Sequence, residues 1–435
     1  MTVAPSSEHV VRIAVLGCGN VGSALVGVLQ DRAADLVVQS GAHLEVGGIA
    51  VSDLSRQRAT HIPVGLLTSD AAELVTDPSI DVVVELIGGL DPAGDLIRTA
   101  LKSGKPVVTA NKALLASSEG VSLRSLAKEH GVDLLYEAAV AGAIPLVRAL
   151  RESLTGERIL RVMGIVNGTT NFILSEMADH GTDYADALAE AQALGLAERD
   201  PTADVEGYDA AAKAAILAGV AFGYDVADSD VMREGITGVR AADVAFAGRL
   251  GFVVKLLAIV ERTGDDAVSV RVHPAMVPKS HPLASVRGAF NAVFIEGETA
   301  GELMLYGQGA GGLPTASAVV GDLIDAVRNR LAGTTAPAPE RRPARLLPSS
   351  ELATRAYVSL DVVDRPGVLS AVAKVFGDNN VSIRSMEQDG MAGQARLLFV
   401  THAALDGDVQ STLESLRQLA VVQQVGGVIR IVSEG

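Results

Sequence analysis

The fold of the N-terminal third is set by the stretch His9-Val-Val-Arg-Ile-Ala-Val-Leu16 and by the Gly17-Cys-Gly-Asn-Val-Gly22 that follows it directly. The apolar run has the length of a strand, and the segment after the glycines is predicted to form a helix. In this arrangement Gly17 permits a tight turn, Gly19 lets the backbone approach a pyrophosphate, and Gly22 allows helix and strand to pack closely. The sequence therefore predicts a dinucleotide site, with the phosphates at the positive N-terminal end of the first helix.

Four more apolar runs of strand length alternate with helical segments beyond this site. They are residues 44–51, 81–86, 106–109 and 132–136. Alternating strands and helices favour an α/β class with a doubly wound parallel sheet, in which ligands bind at the carboxyl ends of the strands. Gly88 and Thr109 fall at such ends. We expect Lys112, which follows Thr109 closely, to point into the crevice rather than into solvent.

The end of the second predicted strand bears on the choice of cofactor. An acid there, Asp53, would favour NAD by binding the ribose 2′-OH, whereas arginines favour the 2′-phosphate of NADP. Asp53 comes slightly late, and Ser52 with Arg56 or Arg58 would clamp a phosphate. These residues favour NADP and leave NAD open, with two solvated arginines on a loop as the alternative.

The strongest chemical signal is the segment Glu198-Arg-Asp-Pro-Thr-Ala-Asp-Val-Glu-Gly-Tyr-Asp-Ala-Ala-Ala-Lys213, which places five acids before an apolar helical stretch. Asp209 and Lys213 are four residues apart, so on a helix they share one face in the favourable order. A lysine held beside carboxylates can deliver a proton to a developing alkoxide. The alternative is an ordinary surface salt bridge at a helix start.

Two turns of small or polar residues lie between these regions. The first, Tyr136-Glu-Ala-Ala-Val-Ala-Gly-Ala-Ile-Pro145, would let carbonyls converge, and with the Glu137 carboxylate it could bind a hard cation. Close packing is the simpler explanation of its small residues. The second, Asn167-Gly-Thr-Thr-Asn171, is predicted to cap a helix and could hydrogen-bond a small polar substrate.

The remaining segments complete the predicted architecture. We expect a helix at 243–260, strands at 268–272 and 292–296, and a glycine loop at 306–315 that either approaches the cofactor or is a bare flexible loop. The order βαββαβ near the C-terminus predicts a ferredoxin-like unit, which would act as a dimerisation module or a small-molecule sensor. The predicted units are a nucleotide-binding domain at 9–136 completed by a helix at 314–331, an α+β substrate and dimerisation domain at 137–313, a proline-rich linker at 332–355 and the ferredoxin-like domain at 356–435.

Length and composition narrow the class of protein. The chain has 435 residues and a net charge of −16, which argues against a nucleic-acid partner. Its single cysteine, Cys18, excludes an intramolecular disulfide and a cysteine-based metal cluster, and is consistent with a reducing compartment. No apolar run approaches the roughly 20 residues needed to span a bilayer. We therefore expect a cytoplasmic protein that binds neither membranes nor nucleic acid.

In the order of its motifs the chain resembles the monofunctional homoserine dehydrogenases that carry a C-terminal ACT domain, over essentially its whole length. The motifs that carry the resemblance are Gly17–Gly22, Thr109-Ala-Asn-Lys112, Tyr136-Glu137, Asn167–Asn171, Glu198–Lys213, Gly309–Thr315, Asp364-Arg-Pro-Gly367 and Asn379-Asn-Val-Ser-Ile383. No aspartokinase region precedes the nucleotide unit, so the length argues against the fused bifunctional form. The resemblance implies the reversible, NAD(P)H-dependent reduction of L-aspartate 4-semialdehyde to L-homoserine, in threonine, methionine and isoleucine biosynthesis.

The resemblance also implies roles for individual residues. Lys213 would donate the proton to the carbonyl oxygen, with Lys112 at the same oxygen or at the nicotinamide. The amino acid would be held by Glu198, Asp209, Thr169 and Asp204. The expected nucleotide-binding residues are Gly17, Gly19, Asn20, Val21, Gly22, Ser52, Arg56, Gly88, Thr109, Lys112 and Gly312.

Two further sites follow from the resemblance. A monovalent cation, Na⁺, would be bound by Glu137, Val140, Gly142 and Ile144. L-threonine would act as a feedback effector between ACT domains of paired subunits, in a dimer or tetramer. The expected effector residues are Asp364, Gly367, Val368, Leu369, Asn379, Val381 and Ile383.

Two rival classes are less consistent with these residues. An aldehyde-oxidising relative such as aspartate-semialdehyde dehydrogenase needs a cysteine nucleophile, but Cys18 lies inside the predicted phosphate loop. A non-catalytic regulatory protein that senses NAD(P) and an amino acid is the other alternative. Such a sensor would not need the lysines 112 and 213 together with the acids 198 and 209.

Overall fold

The computed structural model describes residues 9–264, 267–338, 340–343, 345–391 and 394–432. Pro339 of the predicted proline-rich linker lies outside these described residues. So do residues 433–435, at the end of the predicted ferredoxin-like domain.

A six-stranded parallel sheet forms the N-terminal part of the described chain. Its strands are β1 (Val10–Leu16), β2 (His43–Ala50), β3 (Leu67–Thr68), β4 (Val82–Glu85), β5 (Val107–Thr109) and β6 (Leu134–Leu135). The helices are α1 (Asn20–Asp31), α2 (Ala33–Ser40), α3 (Ala71–Thr76), α4 (Ala93–Lys102), α5 (Lys112–Leu115) and α6 (Ser118–His130). The spatial order β3-β2-β1-β4-β5-β6 reverses between β1 and β4. At such a switch point a parallel sheet opens the crevice that binds dinucleotides.

The continuous apolar sequence of β1 reflects burial on both of its faces. Ile13 and Val15 pack in a core with α1, whereas Ala14 and Leu16 pack in a second core with α3 and α4. This alternation fixes the register of β1, because a shift by one residue would exchange the two sets of side chains.

The chain then builds a larger mixed sheet. The strands of this part are β7 (Ile159–Ile165), β8 (Tyr224–Asp225), β9 (Met232–Arg233), β10 (Phe252–Arg262), β11 (Ala267–Pro278), β12 (Phe290–Gly297) and β13 (Gly301–Gln308). The helices are α7 (Leu146–Arg148), α8 (Gly168–His180), α9 (Tyr184–Ala193), α10 (Thr202–Val205), α11 (Tyr208–Phe222) and α12 (Ala241–Arg249). Short 3₁₀ turns occur at Val64–Leu66, Glu137–Ala139, Asp228–Asp230, Pro282–Ser285 and Ser349–Glu351, and a π-helical turn at Ala149–Ser153.

A long helix, α13 (Gly312–Ala332), then returns to the nucleotide sheet. Ala316, Val319 and Leu323 on α13 are buried in the same core as Ile13 and Val15 of β1. The helix predicted at 314–331 therefore covers one face of the first sheet.

The helix predicted at 243–260 is wrong. The helix α12 ends at Arg249, Gly251 adopts a left-handed conformation with φ of 82°, and β10 begins at Phe252. A fully buried strand is a continuous apolar run, which periodicity alone does not separate from a buried helix. β10 pairs antiparallel with β7 on one side and β11 on the other, so both of its edges are covered.

The C-terminal unit has the predicted ferredoxin-like order. After β14 (Arg342–Pro343) and β15 (Arg345–Leu346) its elements are β16 (Ala353–Val363), α14 (Val368–Asp378), β17 (Ile383–Met391), β18 (Gln394–Thr401), β19 (Ala404–Leu405), α15 (Asp406–Arg417) and β20 (Val422–Ile431). Four of these strands form the order β20-β16-β18-β17. The predicted linker does not stand free, because β14 pairs with β8 and β15 with β11.

The second and third parts share one sheet, which the sequence did not predict. β20 pairs with β11 in parallel at Arg430 and Ile431, so the described strands run β13-β12-β7-β10-β11-β20-β16-β18-β17. The buried Tyr357 hydroxyl on β16 donates to Asp243 Oδ1 on α12 at 2.8 Å. The α/β class, with an N-terminal parallel sheet, a mixed-sheet middle part and a ferredoxin-like C-terminal unit, is confirmed.

Candidate active site

Two helix N-termini meet at the glycine loop that follows β1. Gly17 has φ of 98°, and a Cβ there would lie 2.7 Å from the Leu86 carbonyl oxygen. Gly312, at the start of α13, packs on α1, because a Cβ would lie 3.0 Å from Asn20 O. Within the described residues no side chain caps α1 or α13. Their first N–H groups are therefore available to the phosphates of a dinucleotide.

A buried acid that the sequence reasoning missed organises the neighbouring loops. Glu85, at the end of β4, is 0% exposed, and its carboxylate accepts from Gly88 N at 2.9 Å and from Thr109 Oγ1 at 2.6 Å. Asn111 Nδ2 donates to Gly89 O at 2.7 Å and ties the same loops together. The available signal was an acid at the end of an otherwise apolar strand. Gly88 follows the end of β4, and Thr109, which is buried, is the last residue of β5, as the strand lengths predict.

Two lysines meet at one carboxylate beside these loops. Asp209 Oδ1 accepts a hydrogen bond from Lys112 Nζ, and Asp209 Oδ2 accepts one from Lys213 Nζ at 2.7 Å. Lys213 also donates to Val166 O at 2.6 Å and is 8% exposed, whereas the Lys112 side chain is 45% exposed. The structure thus brings together one buried and one accessible ammonium group. The predicted pairing of Asp209 with Lys213 on one helix face is confirmed.

Asn167 joins a second acid to this cluster. Its Nδ2 donates to Asp204 Oδ1 at 2.7 Å and to Asp209 Oδ2 at 2.9 Å. Its Oδ1 accepts from Thr170 N at 2.9 Å, so Asn167 caps α8 as its sequence predicts. The contact with the acids was missed, because the chain separates Asn167 from Asp209 by 42 residues.

The charges of the cluster shift its proton affinities in opposite directions. Burial alone would raise the pKa of Asp209, but the ammonium groups of Lys213 and Lys112 outweigh it and hold that pKa well below its usual range. Burial lowers the pKa of Lys213, and the Asp209 carboxylate opposes the shift. Burial also raises the pKa of Asp204, against the hydrogen bond from Asn167. Asp209 is therefore ionised at neutral pH, and Lys213 releases a proton more readily than an ordinary lysine.

Known proteins with the same architecture decide the family. The family model described as "Homoserine dehydrogenase" matches residues 145–324, that of "Homoserine dehydrogenase, NAD binding domain" matches 17–137, and that of the ACT domain matches 356–421. The homoserine dehydrogenase of Mycobacterium tuberculosis is 53% identical over 99% of this chain and 100% of its own. That of Corynebacterium glutamicum is 50% identical over 97% of this chain and 95% of its own.

This chain belongs to the homoserine dehydrogenase family. A solved homoserine dehydrogenase from Thiobacillus denitrificans matches with a TM-score of 0.92 and 40% identity, over 98% of this chain and 99% of that one. A hyperthermophilic archaeal homoserine dehydrogenase in complex with NADPH matches with a TM-score of 0.62 and 30% identity, over 76% of this chain and 99% of that one. The protein is accordingly an NAD(P)-dependent oxidoreductase with a nicotinamide cofactor and a C-terminal ACT domain.

The other predicted substrate residues of this homoserine dehydrogenase lie near the cluster but outside its hydrogen bonds. Thr169 is buried and donates from Oγ1 to Leu196 O at 2.7 Å. Glu198 is exposed, and its main-chain oxygen accepts from Gln192 Nε2 at 3.0 Å. The role of Glu198 in holding a substrate therefore stays a prediction.

The loop after β2 contains the residues that bear on the choice of cofactor. Asp53 Oδ1 accepts from Ser55 N at 2.8 Å and from Ser55 Oγ at 2.6 Å. Arg58 donates to Asp53 O at 2.6 Å and to Arg56 O at 2.9 Å. Ser52 and Arg56 are exposed, so both can turn toward a bound nucleotide.

The turn predicted to bind a cation has an unusual backbone. The Glu137 carboxylate accepts from Val147 N and Arg148 N, both at 2.8 Å, and so caps α7. Ala141 and Gly142 are both left-handed, with φ of 59° and 56°, which changes the direction of the carbonyls in this segment. Main-chain oxygens of this kind are ligands that a hard cation takes, and the predicted cation site stays a prediction.

The ACT domain has a cavity of about 390 Å³ at its first turn. Its walls include the predicted effector residues Asp364, Gly367, Val368 and Leu369, together with Gln388 on β17. The other predicted effector residues do not line it within the described chain. Asn379 Nδ2 caps α14 by donating to Val375 O at 2.8 Å, Val381 is buried in the domain core, and Ile383 begins β17.

None of the described helices combines the length and the apolar character that crossing a membrane requires. The described part of the chain contains no group of three or more His, Cys, Asp or Glu side chains arranged to hold a metal ion.

Proposed function

We propose that the protein catalyses the reversible, NAD(P)H-dependent reduction of L-aspartate 4-semialdehyde to L-homoserine. The observation that carries the proposal is the Asp209 carboxylate between Lys112 and Lys213, next to the loops that end β4 and β5. The family membership of the chain supports the same reaction. This activity would place the protein in threonine, methionine and isoleucine biosynthesis.

The proposed roles follow from burial and charge. The nicotinamide cofactor supplies the hydride to the aldehyde carbon. Lys213 gives its proton to the carbonyl oxygen as negative charge develops there, and the lowered pKa of its ammonium group favours the transfer. Lys112, which is accessible, stabilises the same oxygen or contacts the nicotinamide. Asp209 stays ionised and holds both ammonium groups in place.

Acids and amides around the cluster would hold the amino-acid end of the substrate. Asp204 and Glu198 offer carboxylates to the substrate ammonium group, and Thr169 supports the turn from which Glu198 projects. Asn167 fixes the orientation of Asp204 and Asp209 through two hydrogen bonds from one amide. We propose Asn167 as a positioning residue of this site.

The reaction is tested in the direction of reduction. The protein is mixed with NADPH and L-aspartate 4-semialdehyde, the loss of reduced-nicotinamide absorbance is followed, and the product is identified by mass spectrometry. We expect NADPH to be consumed in step with the formation of L-homoserine. NADPH loss without L-homoserine, or no loss at all by folded protein, would show that the proposal is wrong.

We propose NADP(H) as the preferred cofactor, with NAD(H) as the alternative. One oxygen of the Asp53 carboxylate accepts from Ser55, and the exposed side chains of Ser52 and Arg56, with Arg58 on the same loop, would bind a 2′-phosphate. An Arg56→Gln, Arg58→Gln double variant should lose affinity for NADP⁺ and keep its affinity for NAD⁺. Equal loss for both cofactors would contradict this assignment.

We propose that Na⁺ binds the main-chain oxygens of Glu137, Val140, Gly142 and Ile144. The paired left-handed residues 141 and 142 support the proposal, because they change the direction of the main-chain carbonyls in this segment. Melting temperature should rise in NaCl relative to choline chloride at equal ionic strength. Identical melting curves in the two salts would exclude a stabilising cation.

We propose that L-threonine inhibits the enzyme by binding the ACT cavity, with Asn379, Val381 and Ile383 of a paired subunit closing the site. We also propose that the protein is a cytoplasmic dimer or tetramer. Its proposed domain units are 9–136 with 314–331, then 137–313, 332–355 and 356–435. An Asp364→Ala variant of the full chain should turn over L-homoserine without a threonine response. Inhibition that persists in this variant would refute the effector site.

A further inference from the structure

A cavity of about 500 Å³ lies outside the lysine–carboxylate cluster. It is bounded by α6, the segment from β6 to Tyr136, the π-helical turn, the end of α11 and the chain after α13. Lys112, Asp209 and Lys213 do not line it. We name it the arginine cavity, after Arg124, Arg151 and Arg341 in its wall.

The guanidinium groups of the arginine cavity converge on one phenol. Arg341 donates to the Tyr136 hydroxyl at 2.7 Å, and the same phenol lies within electrostatic range of Arg124 and Arg151. Arg124 donates to Asp225 at 2.9 Å and Arg151 to Glu152 at 2.6 Å. Two of the three cations are thus paired with carboxylates.

The third cation is not paired in this way. Arg341 is partly buried, and among the described residues no carboxylate accepts a hydrogen bond from it. Its guanidinium lies against Gly219 of α11, where a Cβ would collide with it. A partly desolvated cation without a counter-charge is energetically unfavourable. A bound anion would therefore stabilise the Arg341 guanidinium.

The positive charges of Arg124 and Arg341 also repel each other. Burial lowers the pKa of Arg124, and the charge of Arg341 lowers it further against the attraction of Asp225. An anion between Arg124 and Arg341 would relieve this repulsion. Guanidinium groups in pairs are well suited to carboxylate and phosphate oxygens.

The rest of the wall contains both acids and apolar side chains. The acids are Asp133, Asp225 and Glu340, and the apolar side chains include Val147 and Val220. Each acid has a partner, since Asp225 accepts from Arg124, Glu340 from Lys128 and Asp133 from Asn329 Nδ2. A volume of this size accommodates a small organic molecule rather than a single ion. The wall therefore places Arg341, which has no carboxylate partner among the described residues, beside apolar side chains.

We propose that the arginine cavity binds a small anionic metabolite, whose carboxylate or phosphate group contacts Arg341 and Arg124 and whose apolar part rests on Val147 and Val220. The bound molecule bridges α6 of the nucleotide-binding part and α11, the helix that carries Asp209 and Lys213. Binding therefore stabilises the junction between these two parts. Binding of the anion is measured directly, so its test does not depend on the proposed reaction.

Calorimetry on the full-length protein tests the proposal. Saturating NADP⁺ is present, so that the glycine loop is already occupied, and the probes are succinate and inorganic phosphate in separate titrations. Binding of succinate indicates a carboxylate ligand, and binding of phosphate a phosphorylated one. We expect Arg341→Gln to weaken the binding of the preferred probe by ~10-fold or more. Arg417→Gln, which removes an exposed guanidinium from α15, should bind as the wild type does.

Hydrogen exchange locates the bound probe in the wild-type protein and does not depend on the folding of a variant. We expect slower exchange in residues 121–136 and 335–338 when the probe is bound. Failure of both probes to bind, unchanged affinity in Arg341→Gln, or protection confined to other segments would each overturn the proposal.

Discussion

Two of the buried lysines in the described part of the chain, Lys213 and Lys255, differ in one neighbour. Lys213 donates to Val166 O and to the Asp209 carboxylate, whereas Lys255 on β10 donates to Val286 O at 2.5 Å and to the neutral Asn171 Oδ1 at 2.8 Å. Lys255 is 0% exposed. Burial, with a smaller effect of the Arg287 charge, lowers the pKa of Lys255 to about 7.

The two lysines lie near the two ends of one short motif, Asn167–Asn171. Asn167, at its first position, holds the acids beside Lys213, and Asn171, at its last, holds Lys255. Burial and a perturbed pKa are therefore common to both ends and do not identify the chemistry. The end that we propose to be catalytic differs in that its carboxylate, Asp209, also accepts from an accessible second lysine, Lys112.

The largest difference should come from removing each lysine in turn. We expect Lys213→Ala to lower kcat by at least ~100-fold, about 2.7 kcal/mol of transition-state stabilisation, while NADP⁺ binding is retained. Lys255→Met is the matched control, and its folded fraction should turn over within about twofold of the wild type. Steady-state kinetics and calorimetry with NADP⁺ measure both quantities. Equal losses of kcat in the two variants would contradict a catalytic role that is specific to Lys213.

A second variant makes the surroundings of Lys213 resemble those of Lys255. Asp209→Asn keeps the shape and removes the charge that pairs with both lysines, so we expect kcat to fall by ~10- to 100-fold. Without the carboxylate the pKa of Lys213 falls further, and its proton is lost at lower pH. The basic limb of the pH profile for aldehyde reduction should therefore move to lower pH. A basic limb that keeps its position would mean that Lys213 is not the titrating acid.

The two asparagines separate function from stability within one motif. Asn167→Ala should lower kcat by ~10-fold with a small change in melting temperature, because Asp204 and Asp209 lose a shared donor. Asn171→Ala should destabilise the protein by about 1–3 kcal/mol, since Lys255 and buried carbonyls lose a partner. Its specific activity, measured per folded molecule, should stay near that of the wild type. Loss of stability in Asn167→Ala together with loss of specific activity in Asn171→Ala would contradict these two roles.

The smallest effect concerns the pH dependence of stability at Lys255. In the unfolded chain this lysine keeps its proton up to a pKa of 10.5, whereas the folded protein releases it near 7. The unfolded state therefore binds more protons between these values, and stability rises with pH across that window. Compared with Lys255→Met, the wild type should gain melting temperature from pH 7 to pH 10. A constant difference between the two proteins would show that Lys255 does not titrate in this range.

Local signals in the sequence accounted for much of the fold and for part of the site. The glycine spacing after β1 is a local requirement of the phosphate turn, and the four-residue step from Asp209 to Lys213 follows from helix geometry. The contact of Lys112 with Asp209 spans 97 residues and needed a family resemblance. The shared sheet of β11 and β20 has no local signal, because strand pairing is decided by distant packing.

The errors have equally specific causes. The run 252–260 is buried on both sides in β10, and such a run has no period that separates strand from helix. The burial of Glu85 was not predicted, because an ionisable side chain is rarely buried in an apolar strand. It is explained by the hydrogen bonds that its carboxylate accepts from the loop at Gly88 and from Thr109. The sequence did not indicate that the Glu137 carboxylate accepts from two main-chain donors at α7, and its place in a cation site stays a prediction.

The most direct test is the change in reduced-nicotinamide absorbance when the folded protein is mixed with L-homoserine and NADP⁺, then with NAD⁺, in the presence of Na⁺. We predict absorbance that rises only when L-homoserine is present, faster with NADP⁺, and that falls to near background in Lys213→Ala. No reduction with either cofactor would contradict the account and favour a regulatory protein that binds NAD(P) without catalysis.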